Sequence, residues 1–440
     1  MKFAGGIHPA YHKDTAASTT ATLPLLPRYV VPVAQHLGAP GEVVVAKGDA
    51  VGRGQPLTEP RGFVSVPVHA PTSGTVTSVK ELPHPVGRPQ LAVEIESDGR
   101  DAWWEGITPH GDWRTLEPAL LKGLIRDAGV VGMGGAAFPT HVKLSPPEDK
   151  PITAFLLNGA ECEPYLTADH RVMVEQPAAV LEGVGLMMRV LGVTAGHVGV
   201  ESNKPDALAA LRDACPRDLD LAFHLLETKY PQGSEKHLIA AVTGREVPSG
   251  GLPMDVGCVV QNVGTAVACV EAVRDGRPMT ERVATVTGPA VRTPRNVRVR
   301  VGTPLTDVLA FCGGLTADAA KVVLGGPMMG LGQFDMDVPV LKGTSGVLCL
   351  RERDVVLFEG GPCIRCGFCV DACPMGLVPG AMGVLSERGV FADLPAWHVT
   401  DCIECGSCAY VCPSRRPLVQ LFRRGKAEVR ALQPKAAGAA

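Results

Sequence analysis

The chain has 440 residues, enough for two to four domains, and a formal net charge of -3, so no global basic field draws it to nucleic acid. Hydrophobic residues make up 45 % and aromatic residues only 5 %, while Gly 51 and Pro 38 point to many turns and close backbone approaches. The best apolar windows, around Val180–Val193 and Gly257–Val270, are glycine-broken and fall short of the ~20 apolar residues of a spanning helix. Met1-Lys2-Phe3 leads into Gly-Gly and His rather than an apolar leader. A soluble, cytoplasmic chain is expected, one that reaches a membrane only through a partner.

The first ~25 residues lack periodicity and read as an extended arm. From Val30 to about Asp98 come short strands and turns, such as Lys47-Gly48-Asp49-Ala50-Val51 and Ala70-Pro71-Thr72-Ser73-Gly74-Thr75-Val76. This stretch resembles the barrel-sandwich fold of lipoyl and biotinyl carriers. Where those carriers present a modifiable lysine, this chain has Val66-Pro67-Val68-His69, which favours a structural module over a swinging arm.

Leu116 to Asp127 reads as an amphipathic helix closed by Gly129, and a glycine-rich loop follows. Strands and helices then alternate: Ile152–Leu157, Pro177–Leu191, His197–Val200, Lys204–Ala214, Leu221–Leu226, Ser234–Val242, Val256–Val260 and Thr265–Arg274. Such alternation predicts a parallel sheet covered on both faces, with the ligand crevice at the carboxyl ends of its strands. From about Glu281 to Val338 a small mixed domain is expected. It has strands at Val283–Gly288 and Lys321–Gly326 and a helix from Pro304 to Cys312. Beyond Glu359 short helices would be organised by metal rather than by a large core.

The fold class is therefore multidomain α/β. The expected units are 1–110 (arm and barrel-sandwich module), 111–280 (parallel-sheet domain), 281–345 (mixed domain), 346–428 (cluster domain) and 429–440 (flexible tail).

The cluster domain carries the most specific signal. Cys363, Cys366, Cys369 and Cys373 precede Pro374, and Cys402, Cys405, Cys408 and Cys412 precede Pro413. Both runs read C-x2-C-x2-C-x3-C-P, the bacterial two-cluster ferredoxin pattern, which moves single electrons. Three thiolates three residues apart wrap one cluster, and the fourth serves the other cluster. Cys363, Cys366, Cys369 and Cys412 should hold one [4Fe-4S] cluster, and Cys402, Cys405, Cys408 and Cys373 the second. Paired C-x2-C units also ligate zinc, but the third cysteine and the C-P repeat favour iron–sulfur. The remaining six of 14 cysteines have no ligand spacing; five read as small buried hydrophobes, and Cys162 lies inside a motif.

Four motifs fall on predicted strand ends. The loop Gly132-Met133-Gly134-Gly135-Ala136-Ala137-Phe138-Pro139-Thr140 can bring backbone N–H groups to a phosphate or a flat ring, with Lys143 as a counter-charge. Asn158-Gly159-Ala160-Glu161-Cys162-Glu163-Pro164-Tyr165 sets two carboxylates and an amide where they are costly unless they bind something. Lys229-Tyr230-Pro231-Gln232-Gly233-Ser234-Glu235-Lys236 opens a helix, as does Gln261-Asn262-Val263-Gly264-Thr265. Each has a plainer reading as a turn, but their convergence on one sheet strengthens all four.

With Gly5-Gly6-Ile7-His8-Pro9 and both cysteine runs, these motifs make the chain resemble the C-subunit of the Rnf (Rsx) ion-translocating electron transport complex over nearly its whole length. That family is also similar to the flavin subunit of respiratory complex I. The resemblance implies non-covalent FMN held by Gly132, Gly134, Gly135, Lys143, Asn158, Tyr230, Gly233 and Asn262. It implies NADH near Phe138, Glu163 and Glu235, with Glu161 in the same crevice motif, and a β-grasp SLBB-like fold for the mixed domain. Met133, Ala160 and Ser234 replace an arginine, an aspartate and a glutamate of the complex I pattern, changes that touch the nicotinamide side more than the flavin side.

The implied activity is that of an NADH-linked oxidoreductase subunit. NADH gives a hydride to FMN, and single electrons pass to the two clusters, with no side chain required as acid or base. Implied partners are the iron–sulfur and integral membrane subunits of the complex, at the cytoplasmic side of the bacterial inner membrane, and ferredoxin as donor or product. The rivals are a soluble corrinoid reductase, a relay without a nicotinamide site, and nucleic-acid binding through Arg415, Arg416, Arg423, Arg424 and Lys426. The last lacks any aromatic platform.

Overall fold

The structure, a computed structural model, describes residues 3–356 and 360–432. Its centre is a four-stranded parallel sheet in the spatial order Asp220–Leu226, Ala195–Glu201, Ala154–Gly159, Cys258–Asn262. Alternate side chains leave opposite faces. Phe155, Leu157 and Val259 pack under the helices Pro118–Asp127, Pro177–Leu191 and Val263–Arg274. Ala154, Leu156, Cys258 and Val260 meet Leu238 and Ile239 of the helix Glu235–Thr243. The chain steps outward from Ala154 to the Asp220 edge, then returns to the other side of its starting strand. Strand order therefore reverses between Ala154–Gly159 and Cys258–Asn262, where a crevice opens in sheets of this kind.

The expected strands and helices of this sheet are present with ends shifted by a few residues. One helix, Ala168–Glu175, was not expected. Its apolar period is hidden because His170 and Arg171 are themselves buried, and its first turn is capped from outside the segment.

The N-terminal module is an antiparallel sheet of Arg28–Pro32, Gln90–Ser97, Gly74–Leu82 and Ala50–Val51, beside the short pair Glu42–Val43 and Thr58–Glu59. Tyr29, Val31, Leu57, Val68, Val76 and Ile95 fill it. The Val66–His69 stretch is buried, and Val66 joins the core of the parallel-sheet domain, so no arm swings there. The leading arm is pinned at both ends. Ile7 bridges Tyr230, and Ala21–Thr22 adds a parallel strand beside Val297–Arg298.

That added strand edges a six-stranded mixed sheet with Arg295–Arg300, Glu281–Thr287, Gly346–Arg351, Ala319–Leu324 and Leu331–Gln333, whose core includes Leu305 and Val308 of the helix Leu305–Phe311. Gly346–Arg351 lies beyond the boundary expected at 345, because it pairs with both Glu281–Thr287 and Ala319–Leu324 of this sheet. The cluster domain has a small core of Leu377, Met382, Leu394, Val399, Leu418 and Phe422. Its closing helix, Leu418–Leu432, continues past 428 with Val429 buried; the rest of the expected tail, from 433, lies outside the described residues. Among the described residues no helix is long and apolar enough to cross a membrane.

Candidate flavin crevice and cluster-ligand turns

The two strands that flank the reversal end in register partners, Asn158 and Asn262. Asn262 caps the helix Val263–Arg274, its Oδ1 accepting from Gly264 N at 2.8 Å. Asn158 Nδ2 donates to Gly233 O at 2.8 Å, which binds the Lys229–Lys236 loop to the sheet end. The glycine loop is closed by Gly132 N donating to Phe138 O at 2.8 Å and anchored by Met133 N donating to Thr265 Oγ1 at 3.0 Å. Gly134 and Gly135 are exposed, and Gly134 faces the Asn262 side chain. Lys143 pairs with Glu235 and donates to Val260 O at 3.2 Å. Gly132, Gly134, Gly135, Phe138, Lys143, Asn158, Gly233, Glu235 and Asn262 thus gather at one edge of one sheet.

A ligand rich in polar atoms fits this edge. Gln232 is fully buried with neither amide atom hydrogen-bonded, and buried Gln261 has an unpartnered Nε2. Unpaired buried amides are costly unless a bound group satisfies them. Both stand inside the crevice motifs, and their position beside a strand end is the sequence signal that marks them.

Three expected crevice residues are committed to protein partners. Glu161 accepts from Asp169 N at 2.7 Å and His170 N at 3.1 Å, so it caps the Ala168–Glu175 helix. Glu163 accepts from Met328 N at 3.1 Å and Met329 N at 2.9 Å, clasping a loop of the mixed domain, and burial pushes its carboxyl up to about 7. Gly326 in that loop leaves no space for a Cβ against the Glu163 carboxylate. Tyr230, buried, donates its hydroxyl to Cys405 O at 2.7 Å. The cost of burying these polar groups is met by backbone partners, a solution that strand-end position alone does not reveal. Lys13 from the arm braces the same turn, donating to Glu161 O at 2.9 Å, Glu163 O at 2.8 Å and Leu166 O at 2.5 Å. Cys162 packs with Ile7, Tyr230 and Cys405, and burial first, then Glu201, pushes its thiol well up. Of the other five scattered cysteines, Cys258, Cys269, Cys312 and Cys349 are buried and Cys215 is half-buried.

The two cysteine turns repeat each other in backbone. Gly367 and Gly406 have φ of 85° and 81°, and Arg365 and Glu404 both have φ of 57°. These left-handed residues curl the chain within each run of cysteines. Cys373, Cys402, Cys405 and Cys408, the set expected for the second cluster, line one cavity. Leu377 N points at Cys373 Sγ and Glu404 N at Cys402 Sγ, each at 3.4 Å. In the other turn the sulfurs of Cys369 and Cys363 lie 3.6 and 3.9 Å from the Cβ position of Gly380. Gly361 N donates to Ser414 O at 3.1 Å, which draws the Cys363 turn towards Cys412. The donor sets suit iron–sulfur cubanes held by thiolates from both runs.

Four of the five basic residues singled out in sequence serve this domain internally, and Arg415 is exposed. Arg416 pairs with Glu387 at 2.5 Å, Arg423 and Lys426 pair with Glu404 at 2.7 Å, and Arg424 lies over Phe391. Lys426 also donates to Cys402 O at 2.6 Å.

Comparison with known proteins follows the same divisions. Family models described as RnfC Barrel sandwich hybrid domain, Nuo51 FMN-binding domain, SLBB domain and 4Fe-4S dicluster domain match residues 1–100, 125–271, 283–332 and 362–415. The chain is 47 % identical over 431 residues to the C-subunit of the proton-translocating ferredoxin:NAD(+) oxidoreductase complex of Clostridium ljungdahlii, covering 98 % of this chain and 94 % of that protein. It is 48 % identical over 428 residues to the C-subunit of the Na(+)-translocating complex of Acetobacterium woodii, covering 97 % of each. Among solved structures, a chain of the NAD+-reducing [NiFe]-hydrogenase in the H2-reduced state shares the fold at a TM-score of 0.52 and 20 % identity, over 76 % of this chain and 66 % of that one.

Proposed function

This chain belongs to the C-subunit family of the Rnf-type ion-translocating ferredoxin:NAD(+) oxidoreductase complexes, and from that premise we propose how its residues carry electrons. It is the electron-input subunit of such a complex, with non-covalent FMN, two [4Fe-4S] clusters and NAD(H) as substrate. Bound FMN exchanges two electrons with a nicotinamide and one at a time with a cluster. The chain binds and orients it: Gly132, Gly134 and Gly135 offer backbone, Lys143 a cation, and Asn158, Gln232, Gly233 and Asn262 polar contacts. Phe138 and Glu235 border the nicotinamide side.

The observation that carries the reading is the Tyr230 hydroxyl on Cys405 O, which joins the crevice loop directly to a cluster turn. The cluster of Cys373, Cys402, Cys405 and Cys408 is therefore the first acceptor. The cluster of Cys363, Cys366, Cys369 and Cys412, whose Cys366 is exposed, is the exit towards the iron–sulfur subunit of the complex. Glu163 and Tyr230 act as braces between domains rather than as ligand contacts. The protein attaches peripherally to the cytoplasmic face of the bacterial inner membrane through integral partners, and ferredoxin stands at the far end of the electron path as donor or product.

Anaerobic quantitation of iron, sulfide and flavin on the isolated chain, followed by NADH titration, tests this. About eight iron atoms per chain, bound FMN and bleaching of both chromophores by NADH are expected. Flavin that NADH does not bleach would leave a relay without a nicotinamide site.

A further inference from the structure

Oxidation of NADH to NAD+ releases two electrons and one proton. The clusters carry only the electrons, so the proton leaves by another route. We propose that a charged cavity behind the glycine loop is that route, and that Asp169 is the relay at its inner end. The proposal rests on the flavin reading above.

The cavity lies between the helices Ala168–Glu175 and Val263–Arg274 and the strand Glu281–Thr287, and its walls include Met133, Asp169, Gly264, Glu271, Arg282 and Arg298. It touches the crevice at two points. Met133 belongs to the glycine loop, and Gly264 opens the helix that Asn262 caps. Asp169 Oδ2 accepts from Asn262 Nδ2 at 2.6 Å, so this carboxyl reaches the flavin cradle from behind through a single amide. Glu271 and Glu281 line the same cavity, the latter held by Arg53 at 2.7 Å and Arg298 at 3.2 Å. Three carboxyls, those of Asp169, Glu271 and Glu281, thus line one cavity.

The charges around Asp169 come from three directions. Glu161 accepts the Asp169 backbone N–H, while buried Arg282 and buried Lys204 oppose its carboxylate without a hydrogen bond to it. Burial first, and then Glu161, raise the Asp169 carboxyl, while the Asn262 bond, Arg282 and Lys204 lower it. Glu271 is raised by burial, with Glu281 and Asp275 adding to that and Arg298 and Arg277 opposing it. Both groups are thereby moved up from the ordinary carboxylate range, the direction a relay requires. A merely structural hydrogen bond to Asn262 could be made by an amide; a buried carboxyl is the costlier choice. Hydride transfer itself frees no proton; one proton per NADH is freed once both electrons have gone on to the clusters, and it then passes to the Asp169 carboxylate, to Glu271 and to water, so that Asp169 returns to its starting charge.

The test uses the full-length holoprotein and rapid-mixing reduction by NADH across pH, in water and in D2O, for Asp169→Asn, Asp169→Glu and Glu271→Gln. FMN affinity is measured beside it by titrating each apoprotein, and carboxyl protonation by infrared difference titration of the same apoproteins. Asp169→Asn should keep FMN affinity within about threefold, slow the proton-linked step by ~10-fold or more, and erase the inflection of its pH profile. Its apoprotein should lack a carboxylic-acid band that titrates in the wild type. Glu271→Gln, which does not touch Asn262, should show a smaller loss of the same kind with FMN affinity unchanged, and Asp169→Glu should restore the inflection. Wild-type pH profiles and isotope effects in both the Asn and Gln variants would overturn the relay, as would a loss confined to FMN affinity. If the Asp169→Asn protein does not fold, Glu271→Gln decides. A wild-type chain that takes up no FMN sinks the flavin reading instead, and the infrared titration still reports on Asp169.

Discussion

The two cysteine turns share a motif, a spacing and a backbone, yet they live in different surroundings. Gly367 has nothing within 4 Å of its Cβ position, whereas Gly406 has the Met328 carbonyl at 3.2 Å. Cys366 is exposed, and Ile364 and Phe368 beside it are 64 % and 55 % exposed, but Cys405 and Cys408 are buried. The second turn is clasped from the parallel-sheet domain by Tyr230 and from the mixed domain by Met328. Neighbouring segments are held too, His237 Nε2 lying 3.0 Å from Pro374 O and Gly6 N donating to Ala372 O at 3.0 Å. The two turns thus differ in their neighbours and not in their spacing. Exposure and hydrogen bonding also shift cluster potentials, so equal motifs need not give equal potentials.

The largest test of this asymmetry is to remove one ligand from each turn. Cys405→Ser should lose about half the iron and leave flavin that NADH reduces with neither cluster following. Cys366→Ser should also lose about half, but the remaining cluster should still be reduced by NADH. Iron assay with low-temperature electron paramagnetic resonance reads both. Identical behaviour of the two variants would mean that the order of the clusters is not set by the Tyr230 side.

The next test concerns the clasp that only the second turn has. Glu163 holds the Met328 loop, and its folded carboxyl lies at about 7, above its ordinary value of 4.5. A raised carboxyl favours the folded state while protonated. That contribution is full below pH 4.5 and is lost as pH rises to about 7, an amount of about 3 kcal/mol. Glu163→Gln should flatten this part of the dependence, its amide oxygen still accepting from the loop. Denaturant midpoints followed by cluster absorbance between about pH 4 and 8, values chosen to bracket the shift, would show it; an unchanged slope would show that the Glu163 carboxyl is not raised by its burial in the clasp.

How much of this was legible in the sequence follows from the range of the forces involved. Pro177–Leu191 declares itself through a local apolar period and a leading proline, and it is found with those bounds. The gathering of Asn158, Asn262 and the glycine loop was legible because strand ends of one sheet must share an edge. The Ala168–Glu175 helix was not, since its cap comes from Glu161 and its buried face carries His170 and Arg171. Asp169 was missed with it. The partners of Glu163 and Tyr230 lie 165 and 175 residues away in the chain, beyond the reach of a local reading. Cysteine spacing points to two cubanes because three thiolates three residues apart meet a local demand; it could not tell which turn is buried.

Tyr230→Phe isolates the bond that joins crevice to cluster. The ring stays, and the Cys405 carbonyl loses its donor in a buried place, a cost of about 1–3 kcal/mol. The denaturant midpoint of the cluster absorbance should fall by that amount, and only the cluster of Cys373, Cys402, Cys405 and Cys408 should shift in potential. A shift of the other cluster would place the hydroxyl's influence elsewhere.

The smallest effect comes from the pair Arg365 and Glu404, which occupy the same left-handed position in the two turns. A non-glycine residue there costs roughly 1–2 kcal/mol, and glycine removes that cost while adding about 0.5–1 kcal/mol of unfolded-chain entropy. Arg365→Gly should therefore leave stability unchanged or raise it by about 0.5 kcal/mol. Glu404→Gly makes the same backbone change but strips the carboxylate that Arg423 and the buried Lys426 share. The exposed Arg423 pair contributes little, whereas Lys426 would keep only the Cys402 carbonyl, so a net loss of about 1 kcal/mol is expected. Parallel denaturant titrations of the two variants measure the difference directly. Equal midpoints would show that the two turns differ in exposure alone, and that the Glu404 network adds nothing to the inner cluster's hold on the chain.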